Sequence, residues 1–144
     1  MDDDPLVLLE VVASPARQKV LALLAQGIDH PEDLARKLKL RRQSVDKQLL
    51  ELYKWGFVDR SAILPAEGRP RIVYRLSDRG REFLTRAETL VQEYREGIRA
   101  DFRRSLDVLE NTLASAHLDE DAYLKKRKEL EARYAQFLGK GKEQ

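Results

Sequence analysis

Residues 40–58 read LRRQSVDKQLLELYKWGFV, and this run decides the fold. Val45, Leu49, Leu52 and Tyr53 recur at helical spacing and predict one apolar helix face. The other face carries polar side chains near its N-terminal end: Arg41, Arg42, Gln43, Ser44, Asp46 and Lys47. Two arginines at a helix start oppose the helix dipole, at a cost of about 0.3 to 1 kcal/mol each. Nearby phosphates would offset this cost, because they bind both guanidinium groups and helix N-termini.

Three predicted helices precede this run. Residues 6–12 form a short apolar helix, and Ser14-Pro15 then starts a second one with a hydroxyl cap and a proline at the first helical position. Gly27 ends the second helix, and Pro31 opens the third with acidic residues in its first turn. Residues 39–40 leave room only for a tight turn between the third helix and the quoted helix. These two helices therefore fit a helix-turn-helix.

A β-hairpin is predicted after the quoted helix, because the apolar period changes from helical to alternating. Residues 57–64 and 71–76 are the two strands. The segment between them is rich in proline and glycine and predicts a turn whose tip carries Arg69 and Arg71. A hairpin in this position is the wing of a winged helix.

These motifs resemble, in order and spacing, those of the ArsR/MarR/PadR-like winged helix-turn-helix transcription regulators. The resemblance covers about residues 6–84 and is carried by residues 14–21, 33–35, 44–49, 52–58 and 68–80. It implies DNA binding but no particular small-molecule effector. The sequence departs from the family pattern at Arg41, which replaces a capping hydroxyl, and in lacking the cysteine and histidine motifs of metal-sensing members.

The resemblance also implies where DNA is contacted. In the matching helix of these families such positions enter the major groove, where arginine prefers guanine and glutamine prefers adenine. Asp46 could accept from cytosine, but an ion pair with Arg42 four residues earlier is the favoured interpretation. The wing arginines are expected at the minor groove or at phosphates. The predicted DNA-binding residues are Arg41, Arg42, Gln43, Ser44, Lys47, Arg69 and Arg71.

The charge distribution agrees with this assignment. Residues 36–75 hold eleven Lys and Arg against four Asp and Glu, whereas residues 1–35 hold two against seven. The formal net charge of +2 therefore hides a strongly basic block. Charge alone is equally consistent with a solvated surface, but this block coincides with the helix-turn-helix and the hairpin.

Several classes of function are not expected. The chain has no cysteine, and its two histidines, His30 and His117, lie far apart, so no metal or cofactor is predicted. No nucleophile-base pair, glycine-rich phosphate loop or carboxylate cluster indicates an enzyme. No apolar run approaches the roughly 18 to 20 residues of a membrane span, and the acidic start at Met1 is unlike a signal peptide. We expect a cytoplasmic protein without a membrane partner.

A long helix is predicted from the cap at Ser77-Asp78 to Ala116, with an apolar stripe closer to an eleven-residue repeat than to a heptad. Such a stripe exceeds what a small domain needs and predicts a nearly straight homodimer seam. The predicted interface residues are Leu90, Tyr94, Ile98, Phe102, Leu106, Leu109 and Leu113. A last helix should fold back antiparallel on the long one, within or across the dimer, and a frayed tail is expected from Gly139 onward.

The sequence thus predicts a mainly α fold with a small β-hairpin. Residues 1–77 form a winged helix-turn-helix DNA-binding domain, and residues 78–144 form a helical dimerisation region with a long helix and a C-terminal helix. The predicted function is a sequence-specific, double-stranded DNA-binding transcription regulator that acts as a homodimer, as a repressor. The alternative is a winged-helix protein–protein interaction module, in which the basic block is incidental.

Overall fold

The computed structural model describes residues 4–139. In chain order the elements are α1 (Val7–Ala13), α2 (Pro15–Ala25), α3 (Pro31–Leu38), α4 (Arg42–Lys54), β1 (Val58–Ile63), β2 (Arg71–Leu76), α5 (Asp78–Ala114), α6 (Glu120–Arg133) and α7 (Ala135–Leu138). The mainly helical fold with one small hairpin is confirmed. Packing divides the chain into two compact units, and the boundary between them along the chain lies between Thr85 and Arg86. The predicted tail beyond Gly139 lies outside the described residues.

The first unit, called the head below, begins its helices where the local signals predict. Ser14 caps α2, since its hydroxyl accepts a hydrogen bond from the backbone N–H of Arg17 at 3.5 Å, and Pro15 is the first helical residue. Pro31 likewise opens α3. Lys39 takes the left-handed conformation, with φ of 55°, and ends α3 so that α4 can start at Arg42. The tight turn of the predicted helix-turn-helix is therefore present.

The core of the head is built from the helical apolar faces and the base of the hairpin. Its large, fully buried side chains are Val20, Leu34, Val45, Leu49, Leu52, Val58 and Val73. Tyr53 was predicted on the buried face of α4, but it is 44% exposed. It lies one position past Leu52, at the edge of the apolar stripe, where the guanidinium of Arg60 stacks 4.8 Å from its ring centroid.

A tight junction joins β2 to α5. The Ser77 hydroxyl donates to the Gly56 carbonyl at 2.7 Å and accepts from the Gly80 N–H at 2.9 Å, so it caps α5 and ties it to the end of α4. A Cβ on Gly80 would collide with the Phe57 carbonyl oxygen and lie 2.9 Å from the Ser77 hydroxyl. Phe83 extends the junction by packing edge-on against Phe57, with ring centroids 5.2 Å apart.

In the second unit α6 and α7 return antiparallel along α5 of the same chain. Phe102 packs on Tyr134 with ring centroids 5.5 Å apart, and Tyr94 packs on Phe137 at 6.1 Å. Arg99 adds a hydrogen bond from Nε to the Phe137 carbonyl at 2.8 Å. The prediction of one continuous last helix is wrong, because the chain turns at buried Tyr134, which ends α6 and starts α7.

This packing uses part of the predicted dimer stripe. Leu90 and Tyr94 are each 62% exposed, whereas Ile98, Phe102, Leu106, Leu109 and Leu113 are half-buried. The sequence left open whether the last helix packs within its own chain or across the dimer, and two rings of the stripe, Tyr94 and Phe102, contact aromatic rings of their own chain. Within residues 4–139 none of the helices combines the length and the apolar character needed to cross a membrane.

Candidate nucleic-acid interface

The N-terminal end of α4 carries no side-chain cap. Arg41 stands at the cap position with extended backbone, φ of −68° and ψ of 146°, and makes no capping hydrogen bond. The first-turn amides of a helix lack partners within the helix and attract anions. Gln43, Ser44 and Lys47, the other predicted contact residues of this turn and the next, all have exposed side chains. This helix end can therefore accept a phosphate and present polar side chains to a groove.

Arg42 is held by two carboxylates. It donates from Nε to Asp46 Oδ1 at 3.1 Å and from Nη1 to Glu32 Oε1 at 3.3 Å. The Asp46 pair is the one predicted from the four-residue spacing, whereas the Glu32 pair crosses from α3 to α4. About half of the Arg42 side chain is exposed, at 47%, so the guanidinium stays accessible.

Arg17 of α2 holds α4 in place through hydrogen bonds. Its Nε donates to Gln48 Oε1 at 3.0 Å, and its Nη1 donates to the Val11 carbonyl at 2.9 Å. One partly buried guanidinium thus connects α1, α2 and α4. The sequence interpretation missed this role, because the partner Gln48 lies 31 residues away and no spacing rule predicts it.

The hairpin is tied to the helices at its base. Strands β1 and β2 pair antiparallel from Val58 opposite Leu76 to Ile63 opposite Arg71. The Tyr74 N–H donates to the Asp29 carbonyl at 3.0 Å, just before α3. Arg69 and Arg71 are exposed at the distal end, as predicted.

The hairpin arginines and the start of α4 line the same open cleft, with a volume of about 440 Å³. Arg42, Arg69 and Arg71 contribute the basic groups, and Glu32 and Asp33 contribute the acidic ones. The sequence predicted each of these three arginines as a DNA-binding residue. The two acidic neighbours come from the first turn of α3 and were not part of the predicted site.

Comparison with known proteins gives no match by sequence, since neither a family model nor a curated protein matches the chain. Solved structures do match its fold. YodB from B. subtilis, in a diamide-treated form, aligns with a TM-score of 0.55 at 14% identity over 67% of this chain and 94% of that chain. A protein described as a transcriptional regulator of the MarR family from Enterococcus faecalis V583 aligns at 0.55 with 21% identity over 72% and 94%.

A third match is a transcriptional regulator homologue from Pyrococcus horikoshii OT3, with a TM-score of 0.54 and 20% identity over 61% of this chain and 87% of that chain. The fold is that of the winged-helix transcription regulators. At these identities the likeness is one of fold alone.

Among the residues that the structure describes, no three His, Cys, Asp or Glu side chains are grouped as metal ligands. His30, at the cap of α3, has Nε2 3.7 Å from Asp29 Oδ1. His117 lies in the helical unit, with Nδ1 2.8 Å from the Ser115 hydroxyl.

Proposed function

We propose that this protein is a sequence-specific, double-stranded DNA-binding transcription regulator. The observation that carries the proposal is the cleft shared by Arg42 at the start of α4 and Arg69 and Arg71 on the wing. An uncapped helix end beside three arginines attracts a polyanion, and the exposed side chains of α4 offer hydrogen-bonding groups to base edges.

Within this proposal the residues divide into two roles. Arg42 and Gln43 read base edges, where arginine pairs with guanine O6 and N7 and glutamine pairs with adenine N6 and N7. Ser44, at the same helix end, donates to the DNA backbone or to a base. Phosphates are contacted by the cationic groups around them: Arg41, Lys47, Arg69 and Arg71.

The proposed active form is a homodimer. Leu90 and Tyr94 expose apolar surface on α5 and are the most open part of the predicted seam. Two heads are needed because one winged helix covers one half-site, and a two-fold dimer covers two. Repression is the simplest output, since a dimer that occupies its operator excludes other proteins from that DNA.

A protein-interaction module is the rival function. It is favoured by exposed apolar side chains in the head: Leu50 on α4 is 49% exposed, and Leu64, which follows β1, is 77% exposed. A partner protein could cover such side chains, whereas DNA would leave them in water.

Salt dependence of duplex binding distinguishes the two functions. Four proposed phosphate contacts per head make eight per dimer, so the logarithm of the binding constant should fall with the logarithm of salt concentration with a slope of about −7. A fluorescent duplex of about 30 base pairs, titrated at several salt concentrations, measures this slope. A protein that shows no duplex affinity at low salt, or a slope near zero, contradicts the proposed function.

A further inference from the structure

The Glu32 and Asp46 carboxylates place negative charge at the position from which Arg42 would contact DNA. Glu32 reaches Arg42 from the first turn of α3, and Asp46 reaches it from the next turn of α4. The guanidinium of Arg42 and the two carboxylates together carry a net charge of −1. For a DNA-binding surface this is unexpected, because each carboxylate repels the phosphate backbone.

The arrangement leaves Arg42 able to donate. A guanidinium has five N–H groups, and the two carboxylates engage one on Nε and one on Nη1. Three N–H groups remain, and a bidentate contact with guanine uses two. The side chain is 47% exposed, so a ligand can reach it without breaking either ion pair.

Phosphates and base edges respond differently to this surrounding charge. A phosphate is an anion, so both carboxylates weaken its attraction to Arg42. Guanine O6 and N7 are neutral acceptors, and their hydrogen bonds to Arg42 are far less sensitive to the neighbouring charges. The two ion pairs also hold the guanidinium in place, which lowers the entropy lost when it binds a base.

We infer that Glu32 and Asp46 are specificity-determining residues. They weaken the binding of phosphates to Arg42 at random DNA sites and leave its hydrogen bonds to a base edge almost unchanged. This inference rests on the proposed function and adds to it a means of suppressing non-specific binding. The Glu32 side chain is 82% exposed, so its carboxylate can be neutralised with little effect on folding.

The test uses Glu32→Gln and Asp46→Asn in the full-length protein. Affinity is measured for the duplex enriched from a random pool and for a scrambled duplex of the same length and composition. We expect each variant to bind the scrambled duplex about 1.5- to fivefold more tightly, with a smaller change for the enriched duplex. The double variant should also steepen the salt slope on scrambled DNA by about 1 per head, as Arg42 gains a phosphate contact.

Two controls separate this mechanism from a general loss of negative charge. Glu51→Gln removes one charge from the C-terminal half of α4 and should not change the ratio of the two affinities. In the Arg42→Ala background the carboxylates still repel phosphates directly, but the part of their effect that acts through Arg42 is lost. Glu32→Gln and Asp46→Asn should therefore raise the affinity for the scrambled duplex less than they do in the parent.

The inference is overturned if the carboxylate variants match Glu51→Gln, or if their effect is as large without Arg42 as with it. Both results would leave the proposed function standing. A parent protein that binds neither duplex overturns the inference together with the proposed function.

Discussion

Replacing Gly80 by alanine should destabilise the head and so test the junction between the wing and α5. The α-carbon of Gly80 faces the Phe57 carbonyl so closely that an added Cβ would overlap its oxygen and come within 2.9 Å of its carbon. The backbone of α5 must move away to admit the methyl group. That movement would pull Gly80 from Ser77, which also binds the Gly56 carbonyl.

The expected loss of unfolding free energy follows from three contributions. Overpacking in a rigid site costs about 1 to 3 kcal/mol, and weakening the two Ser77 hydrogen bonds costs about 1 kcal/mol each. Alanine offsets about 1 kcal/mol, because it favours the helix more than glycine does. The net destabilisation is about 2 to 4 kcal/mol, a large part of the roughly 5 to 15 kcal/mol that a domain has.

Urea unfolding measures this loss. The single tryptophan, Trp55, lies at the end of α4, so its fluorescence reports on the head. With a slope near 2 kcal/mol per molar urea, the midpoint should fall by about 1 to 2 M.

Gly97→Ala is the matched control. It makes the same change in the same helix, but apart from the adjoining residues and the nearby backbone of the helix itself, nothing lies within 4 Å of the added Cβ. This variant should be stabilised by about 0.5 to 1 kcal/mol, measured by circular dichroism. Equal effects of the two substitutions, or a Gly80→Ala head as stable as the parent, would refute the argument from close packing.

The remaining predictions concern DNA binding and assembly. Arg42→Ala and Gln43→Ala should each weaken binding to the selected duplex by about 1 to 3 kcal/mol and relax the preference at one base position per half-site, which repeated selection with each variant would detect. Arg69→Ala combined with Arg71→Ala should weaken binding to all duplexes alike and flatten the salt slope; parental affinity at both low and high salt would argue against wing contacts. Leu90→Glu should place two like charges in the proposed seam and yield a monomer in sedimentation, whereas Leu90→Ala should weaken the dimer less; an intact dimer in Leu90→Glu would exclude this position from the seam.

The helices and the hairpin could be predicted from the sequence because local signals determine them. Ser14 and Pro31 are local helix-start signals, and α2 and α3 begin at them. The spacing of Val45 and Leu49 identifies the buried face of α4, and both are fully buried. The change to alternating apolar residues after position 56 predicts the strands in the same way.

Other features depend on residues that only the tertiary fold brings together. Glu32 meets Arg42 because α3 packs on α4, and nothing in their ten-residue separation predicts that contact. The break between α6 and α7 lies at Tyr134, which packs against Phe102 of α5, a contact between residues 32 positions apart that no local signal predicts. The predicted DNA contacts and the dimer seam stay predictions, since both involve a second molecule.

The central claim is that the head reads DNA sequence through α4. Selection of bound sequences from a random duplex pool, using the full-length protein, tests it most directly. We predict enrichment of a single motif made of two inverted half-sites, with centres separated by about 10 to 10.5 base pairs or a multiple of that spacing. A pool that shows no enriched motif after repeated rounds, despite measurable binding, would contradict sequence-specific recognition by this helix.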